Sequence, residues 1–185
     1  MKTNALIFHG TGGYPEENWF PWLKQQLEAK RLEVIVPHFP TPEGQSLQAW
    51  LDVLKPWMNK ISSETILIGH SLGGIFTLKL LEILKQPVKL AVLVGTPIGV
   101  GWIKNFEQDK SFAGFDFDWE KIKSNSKKFI IYHSDNDPYV SLENGQELAK
   151  HLSVNLTFIP NAGHFNAKAG YTKFEDLLNK LKKYL

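Results

Sequence analysis

The 185-residue sequence has no cysteine. That absence excludes disulfides, thiolate-ligated metals and a cysteine nucleophile, so covalent catalysis, if any, falls to another side chain. An excess of one charge is also missing: 21 lysines and arginines stand against 19 aspartates and glutamates, and the basic residues are scattered. Without a basic patch, nucleic acid is not an expected partner. No apolar run reaches the length of a membrane span, and Met1-Lys2-Thr3-Asn4 leads into too few apolar residues for a signal peptide. Low-complexity and like-charge tracts are absent as well. The expectation is a single domain over residues 1–185, cytoplasmic and monomeric, away from membranes, and long enough to bury a substantial core.

What the sequence does contain is a regular alternation. Short apolar runs at 5–8, 33–36, 66–69, 90–94, 128–132 and 156–159 read as strands. Stretches with helical spacing stand between and after them, at 18–27, 46–58, 72–84, 141–152 and 172–184. Asn18 and Ser46 are placed to cap helices, Thr172 with Glu175 has capping-box spacing, and Pro56 should end the second helix near Lys55. Six strands alternating with helices imply a mostly parallel sheet with helices on both faces.

The chemistry centres on Ile66-Leu67-Ile68-Gly69-His70-Ser71-Leu72-Gly73-Gly74. A strand that stops at Gly-x-Ser-x-Gly and passes directly into a helix lifts its serine onto a sharp turn, which requires positions 69 and 73 to lack bulk. The helix beginning at Leu72 aims free N–H groups at the place where an oxyanion would develop. Leu72 N–H is one expected oxyanion-hole donor. The second is Thr11, in the loop His9-Gly10-Thr11-Gly12-Gly13 after the first strand. That loop fits neither nucleotide fingerprint: Pro15 stands where a third small residue is needed, and Gly-Lys-Ser/Thr is missing.

A serine hydroxyl needs a base, and the base needs an orienting group. Of six histidines, His9 and His70 precede any candidate acid, His38 lies among prolines and His151 on a helix. His164 stands in Asn161-Ala162-Gly163-His164-Phe165, the loop leaving the last strand, and is the expected base. Between serine and histidine, His133-Ser134-Asp135-Asn136-Asp137-Pro138 offers two acids. Asp137, held by the following proline, is preferred over Asp135. A metal site from His133, Asp135 and Asp137 lacks a second ligand cluster, so no metal or cofactor is expected.

Gly69-His70-Ser71-Leu72-Gly73, Asp137-Pro138-Tyr139-Val140 and Gly163-His164-Phe165-Asn166 resemble the motifs of small, nearly lidless α/β-hydrolases of the serine hydrolase family that includes retinoblastoma-binding protein nine. His9-Gly10 with the following Asn18-Trp19-Phe20-Pro21-Trp22-Leu23, and the segment 117–122, are similar as well, so the likeness covers almost the whole chain. It implies the α/β-hydrolase fold with six strands, a minimal lid and a triad of Ser71, Asp137 and His164. Retinoblastoma binding does not transfer, because the Leu-x-Cys-x-Glu motif requires a cysteine.

The expected function is hydrolysis of a small-molecule ester, most simply a carboxylic ester, through an acyl-enzyme. A thioesterase or peptidase would use the same residues, and a binding protein would keep the fold without turnover. Residues 98–125 have weak periodicity and many aromatics, and they leave the sheet where α/β folds place their crevices. They should narrow the pocket and favour short acyl chains. Gly10, His70, Trp102 and Phe115 are the expected substrate-lining residues.

Overall fold

The computed structural model describes residues 3–185. Each apolar run is a strand: β1 (Asn4–Phe8), β2 (Glu33–Ile35), β3 (Thr65–His70), β4 (Leu90–Val94), β5 (Phe129–His133) and β6 (Leu156–Phe158). They form one sheet in the order β2-β1-β3-β4-β5-β6, with every adjacent pair parallel. The direction of winding reverses between β1 and β3, so a crevice opens beyond their carboxyl ends. The loops carrying Gly10 and Ser71 leave the sheet there.

Successive strand residues face opposite sides, and both sides are apolar because both are covered. Leu6, Phe8, Leu67, Leu93 and Ile131 enter one core, beneath α2 (Leu47–Leu54), α3 (Leu72–Ile83), α4 (Phe106–Ala113), α5 (Trp119–Ser124) and α6 (Leu142–His151). Ala5, Ile7, Ile66, Ile68, Val92 and Tyr132 enter the other, beneath α1 (Phe20–Glu28) and α7 (Glu175–Leu181). Of these helices α3 is apolar on nearly every side, and its residues are buried from Leu72 to Leu78. The first core is centred on Trp50, which stacks on Phe39 at 4.3 Å and meets Phe76 and Phe112 edge-on. Its indole N–H donates to Pro40 O at 2.9 Å, so the polar end of the ring is also satisfied.

Ser46 caps α2 as expected, its Oγ accepting from Ala49 N–H, and α2 ends at Leu54 ahead of Pro56. Two other caps are corrected. Asn18 does not cap α1; it adopts φ 52°, and its Oδ1 accepts from Ala167 N–H, tying α1 to the last loop of the site. Thr172 does not cap α7, whose first turn follows Phe174 and has no side-chain cap. At α1 a tertiary contact takes the side chain that would have capped the helix. The aperiodic segment 98–125 contains α4 and α5, two short helices that pack against α3. Among the described residues, no helix is long and apolar enough to cross a membrane.

Truncating Trp50 to alanine is expected to destabilise the fold by about 3–5 kcal/mol, read as a lower denaturation midpoint with an unchanged slope. A loss below about 1 kcal/mol would mean that the ring cluster is not the packing centre of this face.

Candidate active site

Ser71 sits at φ 55° and ψ −122°, a conformation sparsely populated for a residue with a side chain, on the turn from β3 into α3. The turn is feasible only because its flanks are bare. A Cβ at Gly73 would run into the carbonyl oxygens of Phe8 and His9, and one at Gly69 into Gly73 O and the Thr77 hydroxyl. Gly10 lets the loop after β1 reach the serine: a Cβ there would stand 2.8 Å from Ser71 Cβ. Gly12 N–H donates to Thr41 Oγ1 and Gly13 N–H to Gly10 O, whereas Thr11 N–H makes no hydrogen bond among the described residues. Leu72 is the first residue of α3, where backbone N–H groups have no acceptor within the helix.

His164 Nδ1 lies 2.6 Å from Asp137 Oδ2, with the carboxylate wholly buried and the imidazole nearly so. The other oxygen of Asp137 accepts from the N–H groups of Tyr139 and Val140, at 2.8 and 3.1 Å, which fixes the carboxylate plane. Asp135 faces elsewhere: its Oδ1 accepts from Asn161 N–H at 2.8 Å. His133 Nε2 donates to Val140 O. The three candidate metal ligands therefore serve three separate contacts, and no metal-holding cluster occurs among the described residues.

Ser71, His164, Gly10, Thr11 and His70 all border one open cleft of about 540 Å³. His70 is buried, and its Nε2–H donates to His164 O at 2.7 Å. Burial first, then the neighbouring His164, lowers its pKa to about 3, so its ring is a neutral strut beneath the base. His9 is likewise held neutral by burial, at about 4; Phe39 N–H donates to its Nε2, and its Nδ1–H reaches Gly10 O.

Trp102 and Phe115 require correction, since neither borders the cleft. Trp102 is 54% exposed, and Phe115 packs against Gly99 and Phe106. The segment 98–125 faces the cleft instead with Ile103, Asn105 and Asp109. Two of its rings serve packing: Phe112 joins the Trp50 cluster, and Trp119 stacks on His151. The residue overlooked in the sequence is Asp109 itself, the one charged side chain of α4 that is buried. It is 4% exposed, and its one hydrogen bond is a 3.5 Å contact from the Thr11 hydroxyl. Burial pushes its pKa up to about 7. Glu17, also on the cleft, is raised by burial too.

A family model described as serine hydrolase matches residues 5–183. The Bacillus subtilis protein YdeN is 27% identical over 184 residues, spanning all of this chain and 97% of its own. The crystal structure of the ydeN gene product superposes with a TM-score of 0.91 at 26% identity, covering 99% of this chain and 98% of that one. Serine hydrolase RBBP9 of Rattus norvegicus is 27% identical over 186 residues, covering 99% of this chain and 96% of its own. Est1E from Butyrivibrio proteoclasticus shares the fold at 16% identity, with a TM-score of 0.69 over 98% of this chain and 89% of that one.

The raised pKa of Asp109 has a stability consequence. Its folded value of about 7 exceeds the ordinary 3.8, so the unfolded chain ionises first, and stability declines as pH rises from about 4 to about 7, then levels off. Asp109→Asn, neutral throughout, is expected to melt several degrees above wild type at pH 8, the gap closing towards pH 4. The gain is at most on the order of 4 kcal/mol. Equal melting temperatures at pH 8 would show that the carboxyl is solvated there.

Proposed function

Because the chain belongs to the serine hydrolase family, we propose that its reaction runs through an acyl-enzyme on Ser71 and that its substrates are carboxylic esters of small or short-chain acids. One observation carries this reading: a buried Asp137–His164 pair, 2.6 Å apart, borders the same cleft as a serine on a strained strand-to-helix turn.

His164 Nδ1–H donates to Asp137, which leaves Nε2 as the basic nitrogen. That nitrogen takes the proton of Ser71 Oγ as the oxygen attacks the ester carbonyl carbon. The carbonyl π electrons move onto oxygen, where the N–H groups of Leu72 and Thr11 receive the negative charge. Collapse of the tetrahedral intermediate breaks the C–O bond, and the departing alkoxide takes the proton from His164. Water then repeats the sequence on the acyl-enzyme, giving its proton to His164; the acid departs and the proton returns to Ser71 Oγ. Asp137 orients the ring and stabilises its cationic form during both transfers.

The short-chain preference rests on the cleft's lining rather than on an aromatic roof. Glu16, Glu17, Asn105 and Asp109 border it. A methylene contributes about 0.8 kcal/mol only where apolar surface receives it, so a long chain gains little beside these groups.

Fluorophosphonate labelling is expected at Ser71 and nowhere else, and to vanish in Ser71→Ala; labelling that persists in that variant overturns the assignment. Asp137→Asn is expected to lower turnover by about 10³- to 10⁴-fold, and Asp135→Asn far less. The reverse ranking would make Asp135 the acid. Across p-nitrophenyl esters from acetate to palmitate, measured below micellar concentrations, kcat/KM should peak within a few carbons. A rise continuing through the long chains, or activation at a lipid interface, would identify a lipase instead.

A further inference from the structure

The loop that carries His164 follows an unfavourable path. Asn161, Gly163 and Phe165 have φ of 56°, 56° and 50°, so the left-handed region recurs at every second residue around the histidine, twice at residues with a Cβ. Within residues 161–165 the backbone supplies one hydrogen bond, Phe165 N–H to Ala162 O at 3.2 Å. The loop after β5 supplies the rest. Asp135 Oδ1 accepts from Asn161 N–H at 2.8 Å, Ser134 Oγ from Ala162 N–H at 2.9 Å, and Asn136 Oδ1 from Gly163 N–H at 2.7 Å. Asp137 Oδ2 takes the ring of His164. Four consecutive side chains thus hold four consecutive residues. From the other side, His70 Nε2–H donates to His164 O and Trp19 Nε1–H to Phe165 O at 2.9 Å.

Two of these contacts close a ring. Ser134 is fully buried and accepts from Ala162, and its hydroxyl proton goes to Asn136 Oδ1 at 2.9 Å, the atom that also accepts from Gly163. The carbonyl of Asn136 therefore fixes the plane of the Ala162–Gly163 peptide, one residue before the imidazole. Gly163 has no Cβ of its own to restrict rotation, so without that acceptor its peptide is free to turn. Any rotation there swings the Cα–Cβ bond of His164, and with it Nε2, relative to Ser71. Displacements of about 1 Å at a reacting group cost up to about 100-fold in rate.

We propose that Asn136 is a positioning residue for His164: it holds the base loop through Gly163 and thereby sets the aim of the imidazole. Asn136 is exposed at the surface, so its removal admits water rather than opening the core. An acceptor at position 136 is what the loop requires. Asparagine provides it without placing a further charge beside the Asp137–His164 pair.

The proposal rests on the assignment of Ser71 and His164, and the readouts separate the two. Asn136→Ala is expected to lower both the rate of fluorophosphonate labelling and kcat about ten-fold, with KM within about two-fold and little change in melting temperature. The acidic limb of its kcat/KM profile should move down in pH, because a looser Asp137 contact stabilises the imidazolium less. Asn136→Asp keeps the acceptor and should recover most of the rate, with the acidic limb moved up by the added carboxylate. The far-downfield proton resonance of His164 Nδ1–H needs no substrate; it should broaden or vanish in Asn136→Ala and persist in Asn136→Asp. Wild-type labelling, pH limb and resonance in Asn136→Ala would overturn the proposal. An equal loss in both variants with an unmoved pH limb would also overturn it, reducing Asn136 to a structural contact. If the wild-type protein is not labelled at all, the Ser71 assignment fails, and the resonance still decides whether Asn136 holds the ring.

Discussion

Ser71 keeps a φ of 55° only because the turn that carries it is pressed between two bare backbones, with Gly69 and Gly73 on its flanks and the carbonyls of Phe8 and His9 immediately behind. This constraint sets the positions of the other parts. It draws α3 against the carboxyl end of β1, which brings the Gly10–Thr11 loop to the serine. The first N–H of α3, on Leu72, has no acceptor in its own helix. The parallel order β2-β1-β3-β4-β5-β6 then delivers the acid loop from β5 and the base loop from β6 to the same end of the sheet. A nucleophile on a loosely packed turn would have no fixed position for those loops to meet.

Burial makes neutral struts of several histidines. Once removed from water, an imidazolium is costly, and a ring whose N–H meets a carbonyl is stable as the neutral tautomer. His70, His9 and His133 all follow this pattern, and all three have lowered pKa values with burial as the first cause. Each ties one piece of backbone to another: His70 to His164, His9 to Phe39 and Gly10, His133 to Val140. His164 differs from them in its partner, a carboxylate in place of a backbone carbonyl. A carboxylate favours the cationic ring as a carbonyl cannot to the same degree.

The segment between β4 and β5 borders the cleft with Ile103, Asn105 and Asp109 and packs Phe112 into the core. The hydrogen bonds between the β5 and β6 loops hold His164 against Asp137.

The fold was largely legible in the chain because its signals are short-range. Apolar runs of four or five residues mark strands wherever both sheet faces are covered. Gly69, Ser71 and Gly73 announce a tight turn because sterics within five residues demand it. Their order relative to Asp137 and His164 follows from the chain itself. The choice between Asp135 and Asp137 could not be made from spacing, since both lie in one loop and only the direction of the loop decides which carboxylate meets His164. Asn18 misled because a capping residue competes with tertiary partners, and Ala167 N–H took its side chain; Thr172 misled because α7 begins only after Phe174. The aromatics of residues 98–125 are attractive as a pocket lining in one dimension. In three, Phe112 is buried against Trp50, Trp119 stacks on His151 and Trp102 is exposed, leaving Asp109 at the cleft. By itself, then, the sequence determined the strands, the serine turn and the family of chemistry, since these depend on neighbours a few residues away. Only the tertiary structure decided which carboxylate meets His164 and which side chains border the cleft, because both are set by the packing of segments distant in the chain.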